Sequence, residues 1–210
     1  MTTVKKKQAR PKKSEDDLNL NKEEQDRLFS YWTAKKDEAL SKGGTRPFKT
    51  WFMFRFIIGT GLRATEACNV RLKDLNLDTK TPNIVVRNGK GNKRRTVYIS
   101  NELVGDIKQF LYHKRNALLH KMKDDDYLFI SERGGNMSQQ GLYYVWAGAC
   151  KKALGKTYGV HAGRHTFGYN LYNKEKDLKA VKEQLGHRNI ATTDRYTRVT
   201  PEDIVRQMNK

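Results

Sequence analysis

Cysteine is nearly absent from this chain. Cys68 and Cys150 are the only two in 210 residues, and they make neither a disulfide framework nor a metal-ligand cluster. Both sit in apolar helical patterns, which predicts burial in a reducing compartment. Long apolar runs are missing too. The longest, from Trp51 to Ile58, is broken by Arg55 and is too short to cross a bilayer, so no membrane partner is expected. The N-terminus is basic, but no apolar stretch of signal-peptide type follows it, and elimination leaves the cytoplasm as the expected location. There is no G-x-S-x-G nucleophile elbow and no G-x-x-x-x-G-K-[ST] phosphate loop, which excludes the serine hydrolases and the P-loop enzymes. His161, His165 and His187 have no cysteine or carboxylate at ligand spacing, so no metal is expected; no cofactor is expected either. No alternating βα series exists to suggest a Rossmann sheet, and there are no internal repeats.

Acidic residues are scarce against basic ones, 23 to 42, for a net charge of +19. An excess of that size favours a polyanionic partner, and nucleic acid is the commonest. Part of the excess is concentrated at the start. Lys5, Lys6, Lys7, Arg10, Lys12 and Lys13 lie in residues 1–13, a stretch with no acid and nothing to bury, and it opens a basic, disordered tail expected over residues 1–19. Such a tail can track a DNA backbone or merely aid solubility.

The remainder, residues 20–210, reads as one domain of helices around a small sheet. Residues 22–40 form a helix: Asn21 and Glu24 make a capping-box start, and Leu28, Tyr31, Trp32 and Leu40 line one stripe. The helix over residues 47–58 is apolar on most faces and therefore central. Gly59-Thr60-Gly61 turns the chain, and Arg63 opens a third helix carrying Glu66. Residues 83–87 and 96–100 alternate like strands, Ile84 and Val86 against Val97 and Ile99, joined by the glycine-rich turn from Asn88 to Lys93. Asn101 caps a helix to about His120. Ser138 caps another, with Leu142, Val145, Trp146 and Ala149 on its apolar side. Short helices are expected over residues 163–172, 179–185 and 190–197, and after Pro201. The fold class is α+β, mainly helical with a small antiparallel sheet.

Within this outline a set of side chains suits attack on a phosphodiester. His161 and Arg164 are three apart and share one face of a helical turn. Gly186 follows the amphipathic run Leu178, Val181, Leu185 and reads as the glycine that ends a helix, which fixes His187 just beyond. Tyr196 comes next, Arg63 lies upstream, and Lys90 sits on the hairpin turn. Arginines hold phosphate oxygens bidentately, and a tyrosine oxygen can act as the nucleophile. Each residue alone has an ordinary reading as a surface cation, a cap or one of ten tyrosines. Their joint occurrence in a strongly basic chain carries the chemistry.

The same residues, in the same order, resemble the tyrosine recombinases of the phage-integrase family. The matches are Thr60-Gly61-Leu62-Arg63 with Glu66, Gly89-Lys90-Gly91, His161-x-x-Arg164-His165-Thr166, Leu185-Gly186-His187 and Tyr196, over roughly residues 20 to 200. The resemblance implies the catalytic core shared with type IB topoisomerases. It implies that Tyr196 attacks DNA to form a 3′-phosphotyrosine and frees a 5′-hydroxyl. Arg63 and Arg164 would hold the phosphate, Lys90 would protonate the leaving oxygen, His161 would act as general acid/base and His187 would donate a hydrogen bond to the phosphate. Glu66 would orient an arginine or a histidine behind them. Lys5, Lys6, Lys7, Lys93, Arg94 and Arg95 are the expected DNA contacts.

The implied partner is double-stranded DNA with paired recombination sites, bound by a protein that is monomeric when free and tetrameric on DNA. The stripe Ile204, Val205, Met208 after Pro201 is the segment expected to dock on a neighbouring copy. Many members of the family carry a helical core-binding domain ahead of the catalytic one, whereas only about twenty residues precede the first helix here; the chain resembles the short fimbrial-switch and Xer-type forms, or a piece of a longer protein. Two alternatives stay open: a topoisomerase-like relaxase with the same chemistry, and a non-catalytic DNA-binding relative.

Overall fold

The computed structural model describes residues 19–87, 94–118, 122–131 and 134–186. Lys5, Lys6, Lys7, Lys90, Lys93, His187 and Tyr196 lie outside those residues, as do the helices expected over residues 190–197 and after Pro201.

The first helix, α1 (Lys22–Ser41), starts as its sequence dictates. Asn21 Oδ1 accepts from the Glu24 backbone N–H at 2.9 Å, and a Glu24 carboxylate oxygen accepts from the Asn21 N–H at 3.0 Å. Helix α2 (Arg46–Thr60) is the axis of the molecule, with Phe48, Phe52, Met53, Phe54, Phe56 and Ile57 fully buried. Its rings lock neighbouring helices in place. Phe52 stacks on Phe110 of α4 (Asn101–Leu118) with 4.0 Å between ring centroids. Phe54 packs on Trp146 of α5 (Gln139–Leu154) at 4.4 Å. Aromatic burial of this density supplies both apolar area and preferred geometry. Arg55 points outward from α2 and pairs with Asp106 at 2.6 Å and with Glu102, both on α4.

A short helix, α3 (Ala64–Cys68), and a 3-10 turn (Leu72–Asp74) lead into a three-stranded antiparallel sheet, ordered β1 (Leu75–Asn76), β2 (Asn83–Val86) and β3 (Arg95–Tyr98). The sequence predicts two strands. The third, β1, is only two residues long, too short to show alternation. The β2–β3 register places Ile84 opposite Val97 and Val86 opposite Arg95. After the sheet come α4, α5, α6 (Val160–Glu175) and α7 (Leu178–Leu185). No helix among the described residues is long and apolar enough to cross a membrane. Both cysteines are buried, and burial pushes their thiols up to about 11 at Cys68 and about 12 at Cys150.

Several details differ from the sequence reading. The α4 cap is Ser100, one residue before Asn101: its hydroxyl accepts from the Leu103 N–H at 3.2 Å. Val145 is exposed, while Leu142, Trp146 and Ala149 of the same stripe are buried. Helix α6 is longer than the expected 163–172. It begins at Val160, and it ends where Lys176 takes a left-handed conformation with φ 55°. Gly163 suggested a helix start, but it lies inside the helix for a packing reason. A Cβ there would fall 2.5 Å from Trp146 Cη2 and 2.9 Å from Ile57 Cγ2. The missing side chain lets α6 seat directly on α2 and α5.

Gly163→Ala should therefore destabilise the fold by about 1–3 kcal/mol, because the core must shift to admit one methyl group. Urea unfolding checks this: a lower midpoint with an unchanged m-value is expected, and an unshifted midpoint would show that α6 is not seated this closely.

Candidate active site

Arg63, the residue before α3, follows a turn that only glycine can make. Gly61 has φ +61°, and a Cβ on it would lie 2.4 Å from Phe167 of α6. Its carbonyl accepts a hydrogen bond from Arg164 Nη1 at 2.6 Å. Nη2 of the same guanidinium donates to the Leu185 carbonyl, the last residue of α7, at 2.7 Å. Arg164 is buried, so one planar fork ties the turn before Arg63 to the end of α7. Helix α7 is set by local rules. Asp177 caps it by accepting from the Lys179 and Ala180 N–H groups at 2.7 and 3.2 Å. Val181 and Leu185 bury against Phe167 and Leu171. Gly186 closes it with φ +64°, as the sequence predicts.

Behind Arg63 stands Glu66, whose side chain is 1% exposed. It accepts from the Arg63 backbone N–H at 2.9 Å and from Arg63 Nη1 at 2.8 Å. The two terminal nitrogens of Arg95 bind its two oxygens at 2.7 and 2.8 Å, a bidentate pair. Burial alone would raise the Glu66 pKa. The bonds from Arg95 and from the Arg63 backbone, with the Arg95 charge, outweigh it and hold the carboxyl at about 2.

His161 sits in the first turn of α6, its ring exposed at the surface and 6.5 Å from that of His165. Partial desolvation lowers its pKa below the ordinary value, and the charges of Arg164 and Arg63 lower it further. Both guanidiniums therefore reach it electrostatically, and at neutral pH the imidazole is neutral and able to accept a proton.

The structure thus brings Arg63, Glu66, His161 and Arg164 together at one place. Arg94, the residue before β3, is exposed. Arg95 faces inward onto Glu66, with its side chain 15% exposed. The sequence reading grouped Arg95 with Lys93 and Arg94 as a DNA contact and did not foresee the pair with Glu66. The signal was available: Val97 and Ile99 point into the core, and the period of two along a strand puts Arg95 on their side. Thr166 closes the motif that begins at His161. Its hydroxyl accepts from the Leu20 N–H at 2.9 Å and pins the start of the domain to α6.

A helical domain with a small antiparallel sheet, holding a buried carboxylate between Arg63 and Arg95 and a buried Arg164 that ties the turn before Arg63 to α7, is the class that fold and site define. The chain belongs to the phage integrase family, whose model matches residues 19–203. It is a tyrosine recombinase catalytic domain, α+β in class. It is 33% identical over 152 residues to tyrosine recombinase XerC of Bacillus subtilis, covering 71% of this chain and 49% of that protein. Tyrosine recombinase XerA of Pyrococcus furiosus is also 33% identical over 152 residues, with 70% and 49% covered. The chain therefore spans about half the length of the curated relatives it matches. Among solved structures, XerA recombinase superposes with a TM-score of 0.70 at 27% identity, over 91% of this chain and 64% of that one. XerH site-specific recombinase bound to its difH substrate, in a pre-cleavage complex, gives a TM-score of 0.68 at 27% identity over 91% and 53%.

The Glu66 cluster sets a stability test with a defined sign. Its folded pKa of about 2 lies below an unfolded value of about 4.3. Its contribution is complete above the unfolded value and is lost as pH falls through about 2. Glu66→Gln should be less stable than the parent at neutral pH, and the gap should close as urea titrations move from pH 5 towards pH 2. A gap that stays constant over that range would contradict the ionised pair.

Proposed function

We propose that this chain is a site-specific DNA recombinase that cuts and rejoins strands through a 3′-phosphotyrosine at Tyr196. The observation that carries the proposal is the frame that joins the two arginines: Glu66 holds the Arg63 guanidinium at 2.8 Å, and Arg164, three residues after His161 on α6, donates to the carbonyl of Gly61, two residues before Arg63, at 2.6 Å. The names of its relatives, and the DNA in the complex of XerH, support the same reading. In the proposed step the Tyr196 phenol oxygen attacks the phosphorus and the bond to the 5′-oxygen breaks. His161, neutral at working pH, takes the phenol proton, and Lys90 gives a proton to the departing 5′-oxygen. Arg63 and Arg164 stabilise the charge that develops on the phosphate oxygens, as preorganised donors that need no rearrangement. His187, one residue beyond the Gly186 cap, adds a hydrogen bond to the same phosphate. The phosphotyrosine conserves the bond energy, so religation is the reverse reaction and needs no nucleotide cofactor.

The rest of the reading follows from charge and from the family. Residues 20–210 form the catalytic domain, and residues 1–19 form a basic tail that tracks the DNA backbone through Lys5, Lys6 and Lys7. Lys93 and Arg94 contact DNA beside the hairpin. The protein works in the cytoplasm, as a monomer when free and as a tetramer on paired sites, with the Ile204, Val205 and Met208 stripe docked on the next copy.

Tyr196→Phe tests the proposal most simply, since phenylalanine keeps the ring and loses only the nucleophilic oxygen. On a duplex nicked beside the cleavage point, the parent should form an SDS-resistant adduct and the variant none, with DNA affinity nearly unchanged. An adduct that persists in the variant would remove Tyr196 from the reaction. A plasmid carrying two sites separates recombination from simple relaxation: exchanged products are expected, and relaxed circles alone would oppose the recombinase reading.

A further inference from the structure

Arg95 lies at the crossing of three segments that carry the proposed chemistry. It is the first residue of β3, so it roots the strand that leaves the Lys90 hairpin. Its two terminal nitrogens hold both oxygens of Glu66, which in turn holds the backbone and the guanidinium of Arg63. Its aliphatic end and inner nitrogen form the floor beneath Gly186. A Cβ on Gly186 would lie 2.8 Å from Arg95 Cδ and 2.9 Å from Nε. Arg95 Nε is buried without a hydrogen-bond partner among the described residues, and it packs under the turn together with Cδ. His187 is the next residue along the chain from that turn.

We propose that Arg95 is a positioning residue for strand cleavage: it fixes Glu66 for Arg63 and supports the Gly186 turn, one residue before His187 in the sequence, and it does not bind DNA. The inference rests on the recombinase reading above and assigns a new role within it. A surface arginine that grips phosphate would be exposed and would weaken binding when lost. Arg95 is inward-facing, and its fork is already matched to a buried carboxylate. Lysine cannot reproduce this, because a point charge on a flexible stem reaches one carboxylate oxygen and leaves the second unmatched. Glu66 would then reorient and carry Arg63 with it. Small displacements of a positioned cation cost rate rather than affinity.

The test uses the full chain with Arg95→Lys and Arg95→Gln, each assayed well below its own melting midpoint. Single-turnover formation of the covalent adduct on a nicked duplex is measured at saturating DNA, together with the dissociation constant over a salt series. Working on folded protein at saturation keeps a loss of stability from lowering the rate. Both variants should cleave at least about tenfold more slowly than the parent. Their affinity, and the slope of log affinity against log salt, should match the parent. A parental cleavage rate in either variant would overturn the proposal. So would a salt slope shallower by about one with weakened binding, which would make Arg95 a phosphate contact. Absence of an adduct from the parent itself would instead bring down the recombinase reading on which the role depends.

Discussion

The guanidinium of Arg164, held between two backbone carbonyls, is the constraint around which the site is built. Its partners are Gly61, on the turn before Arg63, and Leu185, at the end of the helix before His187. Two segments far apart in sequence are thereby registered against a third. Hydrogen bonds from a charged donor inside a protein are stronger than in water, and a broken one leaves buried polar groups stranded. Several choices nearby follow from it. Gly61 must lack a side chain to let its carbonyl approach past Phe167, and Gly163 must lack one for α6 to sit deeply enough on Trp146 and Ile57. The aromatic core of α2 is the stiff platform beneath, since interdigitated rings resist small shifts.

Glu66 plays the complementary part. A buried carboxylate is costly unless it is paired and hydrogen-bonded. Here four donors reach it, from Arg63 and Arg95. The arrangement fixes Arg63 within the folded domain. Fixed donors that need no reorganisation are the form of electrostatic help that counts most when charge develops on a phosphate. Glu66 sets a negative charge between two cations without facing the surface.

The features legible in the sequence were those that local rules decide. The Asn21–Glu24 capping box, the Ser138 cap and the Gly186 stop each depend on residues a turn apart, and each stands where expected. The central helix α2 was legible because its apolar residues cover most faces. Of the residues the sequence singles out for the site, Arg63, Glu66, His161 and Arg164 lie among the described residues, and Lys90, His187 and Tyr196 lie outside them. What escaped depends on tertiary context. Strand β1 exists only because β2 offers it an edge. Val145 fits the apolar stripe of α5, yet it is exposed among the described residues. Helix α6 continues through Gly163 because close packing outweighs poor propensity. Arg95 read as surface because it adjoins a basic hairpin, although strand alternation had already assigned it to the inner face.

The claim that a rigid frame of arginines and one carboxylate grips the scissile phosphate is tested most directly by a crystal structure of the protein trapped on a nicked duplex. The account predicts an ester between the Tyr196 oxygen and a 3′-phosphorus. The non-bridging oxygens should lie within hydrogen-bond distance of Arg63 and Arg164, while Arg164 keeps the Gly61 and Leu185 carbonyls and Glu66 keeps both of its arginines. A phosphate held away from these two guanidiniums, or an Arg164 that releases both carbonyls to reach it, would contradict the account.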